Sequence, residues 1–513
     1  MIKDINLRLS PKEATLIPEI KTAACKKLKI KVGTVTDIQI VRRSIDARRY
    51  PIVVDMSVKV FIDEPSISRV EETKYQDVSD KKEVIVVGCG PAGLFAALRL
   101  IEKGFKPIVL ERGDNVHDRK VSTATMIKTN RVNEHSNYCY GEGGAGAFSD
   151  GKLYTRSSKR GDVKKVLSQF IQHGAAEDIM FEAHPHLGTD NLPAIVENMR
   201  NTIIKFGGEV RFKTMVVDVI VEGEKVVGVT TKDGKTYNAP VILATGHSND
   251  DMYIMLNEKG IPLEAKGIAV GVRVEHPQKL IDQIQYKTSE KRDKYLPPAE
   301  YRFVTQVQDR GVYSFCMCPG GVIVPSHTKE GYSNVNGMSN SSRSGEFANA
   351  AFVVEIRPED LPQFEGPLGV LNFQKALEKR TYDYIGGGLE APGQRMVDFV
   401  KGKESTSLPT TSYIPGVVGC DLNKLFPSFI SQRLAQAFRL FGKNARGFLC
   451  KDALLIASET RTSSPVRILR DKETFMSFDG LFPCGEGAGY AGGIVSSAMD
   501  GVNTADAVIK YLS

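Results

Sequence analysis

The feature that most constrains the fold of this chain is the run Val84–Gly93, which reads Val-Ile-Val-Val-Gly-Cys-Gly-Pro-Ala-Gly. Its four apolar residues predict a buried parallel strand. Its three glycines permit a tight turn, close approach of a pyrophosphate to the backbone and close packing of a helix on the strand. Apolar residues at helical spacing over residues 94–100 predict that helix, and its N-terminus near Pro91 is expected to point at the phosphates.

A second strand and an acidic residue complete the pattern. Residues 107–110 predict a strand, and Glu111 follows it, where a carboxylate is placed to bind both hydroxyls of a ribose. A glycine motif alone is weak support for nucleotide binding, because ordinary glycine-rich turns look the same. Strand, glycines, helix, strand and acid in this order predict a dinucleotide-binding fold.

Two segments further along the chain indicate which dinucleotide is bound. Residues 241–246, Val-Ile-Leu-Ala-Thr-Gly, predict a strand that stops at a glycine-ended turn, and a hairpin with its turn at Asp233 and Gly234 precedes them. Residues 480–495 are rich in glycine, and a predicted helix follows over residues 496–511. This pair of segments resembles the FAD-binding half of the two-dinucleotide-domain flavoproteins, the glutathione-reductase-like superfamily.

The resemblance implies roles for individual residues. In that superfamily the Ala-Thr-Gly turn passes the cofactor, and an acid in the C-terminal glycine motif holds the ribityl chain. Glu486 matches that acid, although Asp is the commoner choice there. The helix after Gly492 and Gly493 would direct its positive end at the pyrimidine edge of the flavin, where negative charge gathers on reduction.

Four further runs are similar to an uncharacterised bacterial group of FAD-dependent dehydrogenases, the NAD(P)/FAD-dependent oxidoreductases. They are Ser136–Leu153, His184–Asp190, Ser314–Gly321 and Glu459–Pro465. The similarity spans nearly the whole chain and implies FAD and an oxidoreductase fold, without a substrate. More distantly, the C-terminal Gly-Glu-Gly motif resembles that of flavoproteins that modify tRNA.

The composition is that of a globular protein, and a cytoplasmic location is expected. With 513 residues, of which 41% are hydrophobic, the chain is long enough for about three domains. The N-terminus lacks the apolar run of an export signal, and no stretch is long enough for a membrane span. The eight cysteines are scattered without metal-ligand spacing, so we expect reduced thiols and no metal site.

Positive charge is concentrated at the N-terminus. Residues 1–50 hold twelve Lys or Arg against five Asp or Glu, and the resulting +7 equals the net charge of the whole chain. A strand over residues 2–9, a helix over residues 11–28 and two later strands predict a small basic α+β domain at residues 1–75. There are three alternatives for its basic face: it binds RNA, it binds an acidic protein, or it has no partner and contacts only solvent.

The predicted fold class is α/β. A Rossmann-like FAD-binding domain occupies residues 80–265 and 445–513, and a mostly antiparallel β domain, the cap that forms the substrate pocket, is inserted at residues 266–444. A predicted helix within residues 425–448 returns the chain to the FAD-binding domain. Residues 247–440 hold no second glycine motif after a strand. We therefore expect NAD(P)H either to dock transiently on the FAD-binding domain or to be replaced by another reductant.

A glycine-dense run, residues 141–151, offers backbone amides with little side-chain bulk. We expect it beside the isoalloxazine or the pyrophosphate, with structural turns as the alternative. The predicted cofactor-binding residues are Gly88, Gly90, Pro91, Ala92, Gly93, Glu111, Arg112, Gly143, Gly144, Ala145, Ser149, Asp150, Val216, Ala244, Thr245, Gly246, Gly485, Glu486, Gly492, Gly493 and Ile494.

Three sets of side chains are candidates for catalysis. Cys316 and Cys318 share one face of a predicted strand, and a thiolate near an oxidised flavin can form charge-transfer or thiol-exchange intermediates. The alternative is that both are thiols packed in the structure or lining the pocket. His184 and His186 are a candidate pair for proton delivery, with loop histidines bonded to the backbone as the alternative. Lys152 is a candidate contact to the N5 edge of the flavin. The candidate binders of an anionic group are Arg461, His247, Arg273 and Arg343.

The predicted function is that of a soluble FAD-dependent oxidoreductase, a dehydrogenase or reductase. In it, flavin N5 passes hydride between an unidentified substrate and a second partner. The first alternative is a flavin-dependent RNA-modification enzyme that uses the basic N-terminal domain. The second alternative is a flavoprotein that acts as a redox sensor or a scaffold.

Overall fold

The computed structural model describes residues 1–155 and 158–513. The N-terminal unit, residues 1–62, consists of β1 (Ile2–Leu9), α1 (Pro11–Thr15), α2 (Ile17–Leu28), β2 (Val35–Asp46) and β3 (Val53–Ile62). The strands form an antiparallel sheet in the order β1-β3-β2. Alternate side chains of β3 are buried against the helices, as a half-covered sheet requires: Val54, Met56, Val58 and Val60.

The helical part of this unit differs from the single helix predicted over residues 11–28. Ser10 caps α1, because its hydroxyl accepts a hydrogen bond from the backbone N–H of Glu13. The backbone becomes extended at Leu16, and α2 begins with Pro18 in its first turn. Proline has no N–H to donate to the preceding turn, so one continuous helix is excluded.

The second unit, the parallel-sheet domain, begins after a connecting segment. Its elements before the insertion are β4 (Glu83–Val87), α3 (Pro91–Glu102), β5 (Lys106–Leu110), α4 (Val116–Thr129), α5 (Val163–Gln172), α6 (Leu192–Lys205), β6 (Glu209–Arg211), β7 (Val216–Glu222), β8 (Lys225–Thr231), β9 (Thr236–Tyr237), β10 (Val241–Leu243), α7 (Asp250–Glu258) and β11 (Leu263–Ala265). The strands β7, β8 and β9 form a separate antiparallel sheet.

The insertion is the mixed-sheet domain. Its elements are β12 (Ile268–Pro277), α8 (Gln278–Tyr286), β13 (Val304–Val307), β14 (Arg310–Cys318), β15 (Val322–Pro325), β16 (Val335–Met338), β17 (Phe347–Ile356), α9 (Gly369–Tyr384), β18 (Ala391–Arg395), α10 (Met396–Lys401), β19 (Val417–Gly419), α11 (Leu422–Leu425), α12 (Ser428–Asn444) and β20 (Leu454–Glu459). Seven strands pair in the order β13-β14-β17-β12-β20-β18-β19, all antiparallel except β18 with β19.

The chain then completes the parallel-sheet domain with β21 (Val466–Ile468), β22 (Leu481–Pro483) and α13 (Ile494–Leu512). The five parallel strands follow the order β22-β10-β4-β5-β6. Four of the five residues of β4 are buried, which explains its continuous apolar run, and α3 and α13 cover the same core.

The strand β20 follows residue 444, the predicted end of the insertion, and belongs to the mixed sheet. The strand β20 pairs with β12 and β18 in the mixed sheet, and all six of its residues are buried. The helix α12 packs into the core of the same domain through Phe438 and Phe441. A central strand needs partners on both sides, so β20 stays with the mixed sheet and the chain leaves it before β21.

The N-terminal unit is joined to the rest by backbone pairing. The N–H of Arg43 donates to the carbonyl of Phe181 at 2.8 Å, and the N–H of Ala183 donates to the carbonyl of Arg43 at 2.9 Å. Among the described residues, no helix combines the length and apolar character needed to cross a membrane.

Candidate functional site

A deep cleft lies where the carboxyl ends of the parallel strands face the mixed sheet. It encloses about 1750 Å³ of space, including its open mouth. Val87 and Leu110, the last residues of β4 and β5, line one side, and Phe315 and Cys316 of β14 line another. Ligands of such sheets bind beyond the carboxyl ends of the strands, so this cleft is the candidate site.

Two helices direct their N-termini at the cleft. Gly90 precedes α3 and Gly493 precedes α13, and neither helix has a side chain that caps its first turn. Both glycines line the cleft. The free N–H groups and the positive ends of the two helix dipoles suit an anionic ligand such as a pyrophosphate.

Two of the three glycines in the turn between β4 and α3, Gly88 and Gly93, have no room for a side chain. A Cβ on Gly93 would lie 1.9 Å from the carbonyl oxygen of Gly88. A Cβ on Gly88, whose φ is +104°, would lie 2.4 Å from the carbonyl oxygen of Ala244. The turn therefore presents bare backbone to the cleft, as close contact with phosphates requires.

Glu111 ends β5 at the wall of the cleft and is 5% exposed. Its carboxylate accepts hydrogen bonds from the N–H groups of Cys89 at 2.9 Å, Gly113 at 2.9 Å and Gly141 at 3.1 Å. A carboxylate has about four acceptor positions, so one is left for a ribose hydroxyl. Glu111 thus holds three loops together and keeps capacity for a nucleotide.

A flat surface adjoins Glu111. The guanidinium of Arg112 lies 4.0 Å from the ring centroid of Tyr140, and both residues line the cleft. Arg112 donates hydrogen bonds to the side chain of Asn249 at 3.2 Å and to the carbonyl of Glu134 at 3.0 Å. These contacts fix a stacked cation and ring of the kind that packs against a nucleobase.

The glycine-dense run at residues 141–151 is fastened from behind by Arg119, a fully buried residue of α4. Its NH1 donates to the carbonyls of Glu142 at 2.8 Å and Gly144 at 2.7 Å, and its Nε donates to the carbonyl of Asn137 at 2.9 Å. Burial lowers the pKa of Arg119 to about 10. Its bonds orient the loop, which lines the cleft at several positions: Gly141, Gly144, Ala145, Gly146, Ser149, Asp150 and Gly151.

Lys152 brings a positive charge to the side of the cleft formed with the mixed sheet, and 34% of its side chain is exposed. Its ammonium lies 2.7 Å from the carboxylate of Asp150 and also donates to the carbonyl of Met317. Arg343 donates to Asp150 from Nε at 2.9 Å. Burial opposes the charge of Asp150, but Lys152 and Arg343 lower its pKa to about 2. Asp150 therefore positions two cations.

Next to Lys152 lies a buried ion pair of the mixed sheet. Arg273 is fully buried, and its NH1 donates to both carboxylate oxygens of Glu459, at 3.0 and 3.1 Å. Burial raises the pKa of Glu459 to about 7, although Arg273 favours the carboxylate. Cys316 lines the cleft above this pair, and Cys318 is buried.

Glu486, the acid of the C-terminal glycine motif, also lines the cleft. Its Oε1 lies 3.7 Å from Nδ1 of His247, another residue of the lining. Burial raises the pKa of Glu486, while His247 and Lys266 oppose that change. The acid therefore faces the ligand space with a histidine beside it.

Most of the residues predicted to bind a cofactor or to act in catalysis converge on the cleft. Those in its lining are Gly88, Gly90, Pro91, Ala92, Glu111, Arg112, Gly144, Ala145, Ser149, Asp150, Lys152, Val216, Ala244, Thr245, Gly246, Cys316, Glu486, Gly492, Gly493 and Ile494. Arg461 and His247 line it as well. Their roles toward a ligand stay predictions.

Other predicted residues lie outside the lining. Three glycines lie behind the lining: Gly93, Gly143 and Gly485. Three other residues are buried below it: Cys318, Arg273 and Arg343.

The predicted histidine pair is not brought to the lining. His184 exposes 65% of its side chain and bonds Glu300, and His186 bonds the carbonyl of Ser341 through Nε2 at 3.0 Å. Backbone bonds between their segment and residues 151–153 hold both histidines in these positions.

Sequence reasoning missed several residues of the lining. Tyr140 precedes the glycine-dense run directly, and an aromatic residue at that position was the available signal. Asn249, Phe315 and Asn336 carry no local signal, because only tertiary contacts bring their segments to the cleft.

Three family models match parts of the chain. One described as "FAD binding domain" matches residues 83–125, and one described as "FAD-dependent protein, C-terminal domain-like" matches residues 267–462. A domain of unknown function matches residues 1–61. The two FAD models cover the glycine turn with Glu111 and the mixed-sheet side of the cleft. The chain therefore contains an FAD-binding domain.

Two relatives illustrate the range of sequence similarity. An uncharacterized protein of Clostridium beijerinckii is 39% identical over 532 aligned positions, which cover 99% of this chain and 98% of that protein. A thiamine thiazole synthase of Aeropyrum pernix is 28% identical over 150 positions, 29% of this chain and 43% of that protein.

Among solved structures, a geranylgeranyl bacteriochlorophyll reductase-like protein from Thermoplasma acidophilum matches with a TM-score of 0.36 and 13% identity, covering 84% of this chain and 80% of that one. The flavin-dependent brominase Bmp2 matches with a TM-score of 0.36 and 15% identity, covering 84% and 79%.

Proposed function

This chain belongs to the same family as the uncharacterized Clostridium beijerinckii protein, and on that premise we propose that it is an FAD-dependent oxidoreductase acting on a small molecule. One observation carries the proposal. The glycine turn, two helix N-termini and Glu111 converge on a single cleft. The glycine turn, the N-terminus of α3 and Glu111 lie within the residues matched by the FAD-binding model. These features fit the adenosine and pyrophosphate of FAD.

Different residues of the cleft would bind different parts of FAD. Glu111 would accept a hydrogen bond from the ribose, and Arg112 with Tyr140 would pack against the adenine. The N-terminus of α3 would hold the pyrophosphate, and Glu486 would accept a hydrogen bond from a hydroxyl of the ribityl chain. The N-terminus of α13 would face the isoalloxazine. When bound, FAD supplies a ring that accepts and donates a hydride equivalent at N5.

In this proposal the substrate would meet the flavin ring at the side of the cleft near Lys152. Its ammonium is held by Asp150 and is therefore charged at neutral pH, because Asp150 raises the pKa of Lys152 against the effect of burial. A fixed ammonium at the wall stabilises negative charge that develops on a substrate or on the ring. Phe315, 37% exposed, adds an apolar surface.

There are two candidate reductants of the flavin. NAD(P)H docks transiently at the open mouth of the cleft, or the organic substrate reduces the flavin directly. No second glycine motif follows a strand in residues 247–440, which favours transient docking over a dedicated nicotinamide domain.

The test is an anaerobic absorbance titration of the purified, FAD-loaded protein with NADH and, separately, NADPH. Bleaching near ~450 nm, the usual band of oxidised flavin, supports a nicotinamide-driven reductase. Reduction by dithionite alone supports a dehydrogenase or oxidase reduced by its own substrate. A protein that cannot be loaded with FAD contradicts the proposal. Turnover with a dye acceptor contradicts the alternative of a redox sensor or scaffold.

A further inference from the structure

The wall of the cleft beside the mixed sheet carries an ammonium that is not fully engaged. The side chain of Lys152 is 34% exposed and lines the cleft. An ammonium has three hydrogens to donate. Lys152 donates to the carboxylate of Asp150 at 2.7 Å and to the carbonyl of Met317. The described residues supply no third acceptor, so one N–H of Lys152 is left for a ligand.

Asn336 of β16 is a second donor in the same lining. Its Oδ1 accepts hydrogen bonds from the backbone N–H of Gly337 at 2.7 Å and from NH1 of Arg273 at 3.3 Å. Both of these partners can only donate, so they fix which end of the amide is oxygen. Among the described residues no group accepts from Nδ2, and its two hydrogens are therefore available to a ligand.

The two donors are tied to neighbouring peptide units of β14. Lys152 donates to the carbonyl of Met317, and NH2 of Arg273 donates to the carbonyl of Cys316 at 2.6 Å. The other terminal nitrogen of the same arginine, NH1, holds Asn336. The ammonium and the amide therefore border the same short segment of the strand.

The acceptors around these donors are already in use. The carboxylate of Asp150 accepts from Lys152, from Nε and NH2 of Arg343 and from the hydroxyl of Ser339. These four bonds fill the acceptor positions of a carboxylate. The two carbonyls of β14 are engaged by cations as described above. This set of groups thus offers a ligand donors and a positive charge but no free acceptor, which suits an anionic oxygen group.

An apolar surface lies next to the donors. Phe315 is 37% exposed and Tyr154 is 55% exposed, and both line the cleft. Phe315 directly precedes Cys316 in β14, and Tyr154 follows shortly after Lys152 in the chain. A ligand with an apolar part beside its anionic group would remove these two rings from water.

We propose that the substrate is an organic acid whose carboxylate binds the ammonium of Lys152 and the amide of Asn336, and whose apolar chain or ring lies on Phe315 and Tyr154. A group with one negative charge and two oxygens matches one ammonium and one amide, because Asp150 already balances part of the positive charge of this wall. The role as substrate rests on the proposed function, which sets the flavin ring beside this wall, whereas the binding of the acid does not.

The test titrates the FAD-loaded protein with 3-phenylpropionate and with its neutral counterpart, 3-phenylpropionamide. Calorimetry measures binding, and a change in the visible absorbance of the oxidised flavin reports a ligand beside the ring. We expect the acid to change this absorbance and to bind at least about tenfold more tightly than the amide. Equal affinity for the two ligands, or binding of neither, overturns the proposal. Binding of the acid without a change in absorbance overturns its place at the ring.

Two variants separate recognition of the charge from folding, because the amide ligand reports on the intact pocket. Lys152→Met removes the ammonium. Asn336→Asp keeps an oxygen for Gly337 and Arg273 but replaces the donating nitrogen by a second oxygen. Each variant should lower the ratio of acid affinity to amide affinity to about one. An unchanged ratio in both variants overturns the proposal.

Lys165→Met, at a half-buried ion pair with Glu102, is the matched control and should keep the wild-type ratio. A protein that cannot be loaded with FAD contradicts the proposed function instead. In that case calorimetry of the FAD-free protein still decides whether the anion site exists. Tighter binding of the acid that is lost in Lys152→Met supports the site, and equal binding of acid and amide overturns it.

Discussion

Gly93 is the position where packing leaves least room in the glycine turn, since an added Cβ would lie 1.9 Å from the carbonyl oxygen of Gly88. We expect Gly93→Ala to push α3 away from β4, to destabilise the protein by about 1–3 kcal/mol and to weaken FAD retention at least about tenfold. Gly33→Ala is the control, because a Cβ there would meet nothing within 4 Å. Flavin content after purification and the urea midpoint measure both effects. Unchanged FAD retention in Gly93→Ala would refute the close contact between the glycine turn and the cofactor.

Glu111 combines structural and binding roles at one carboxylate. We expect Glu111→Ala to leave the N–H groups of Cys89, Gly113 and Gly141 without their acceptor and to remove the proposed contact with the ribose. Each lost acceptor costs about 1–3 kcal/mol for a buried donor. FAD occupancy of the purified variant should fall by at least about tenfold. Glu83→Ala, at an exposed carboxylate on the same sheet, is the control. Full occupancy in Glu111→Ala would show that Glu111 is not the ribose-binding acid.

At the scale of elements, His276 makes β12 sensitive to pH. Its ring lies against Phe448, its Nε2 is 2.8 Å from the Phe448 carbonyl, and burial lowers its pKa to about 4. In the unfolded chain the His276 ring takes up a proton near pH ~6.5, whereas in the folded chain the ring stays neutral at that pH. Its contribution to the free energy of unfolding is therefore complete above that pH and is lost as the pH drops toward 4. The loss is about 3 kcal/mol at most.

Urea midpoints of the wild type at pH 7.5 and pH 5 should differ more than those of His276→Gln, whose amide keeps a donor for the Phe448 carbonyl. His117→Gln, at an exposed histidine, is the control. Equal pH dependence in all three proteins would contradict the buried neutral histidine.

At the scale of the whole molecule, the ion pair of Arg43 with Glu182 links the N-terminal unit to the parallel-sheet domain. Nε of Arg43 donates to Glu182 at 2.6 Å, and both side chains are 28% exposed. We expect Arg43→Glu to weaken this contact by about 1 kcal/mol, so that proteolysis after residue 62 becomes about fivefold faster. The double variant with Glu182→Arg should restore most of the protection. Arg8→Glu, within the N-terminal unit, is the control, and a double variant as labile as the single one would refute the link.

The basic face of the N-terminal unit still has RNA and an acidic protein as predicted partners. If it binds RNA, the affinity of the intact protein for a single-stranded RNA should fall steeply between about 50 and about 200 mM salt, because bound counterions are released. Replacing Lys26, Lys29 and Lys31 by Glu should abolish the binding seen by fluorescence anisotropy. The same replacement at three exposed lysines elsewhere, Lys403, Lys443 and Lys472, is the control. No binding at low salt would remove the RNA alternative.

Local patterns predicted much of the fold and part of the cleft. The strand, turn and helix at Val84–Gly93 were predicted because apolar periodicity and glycine turns depend on neighbouring residues. The same holds for β1, which is predicted and observed over residues 2–9. The pairing of β20 with the mixed sheet was not predicted, because β20 is buried throughout and its partner β12 lies nearly 200 residues away in the sequence.

The sequence by itself determined the dinucleotide-type turn and the α/β class, since short-range sterics and hydrophobic burial decide them. Only the tertiary structure decided the electrostatics of the cleft. Arg273 and Glu459 are 186 residues apart, yet they pair where both side chains are buried, and burial raises the pKa of Glu459 to about 7. The NH2 group of the same buried arginine also donates to the carbonyl of Cys316 at 2.6 Å. Such properties arise from desolvation and long-range contacts, which no local pattern encodes.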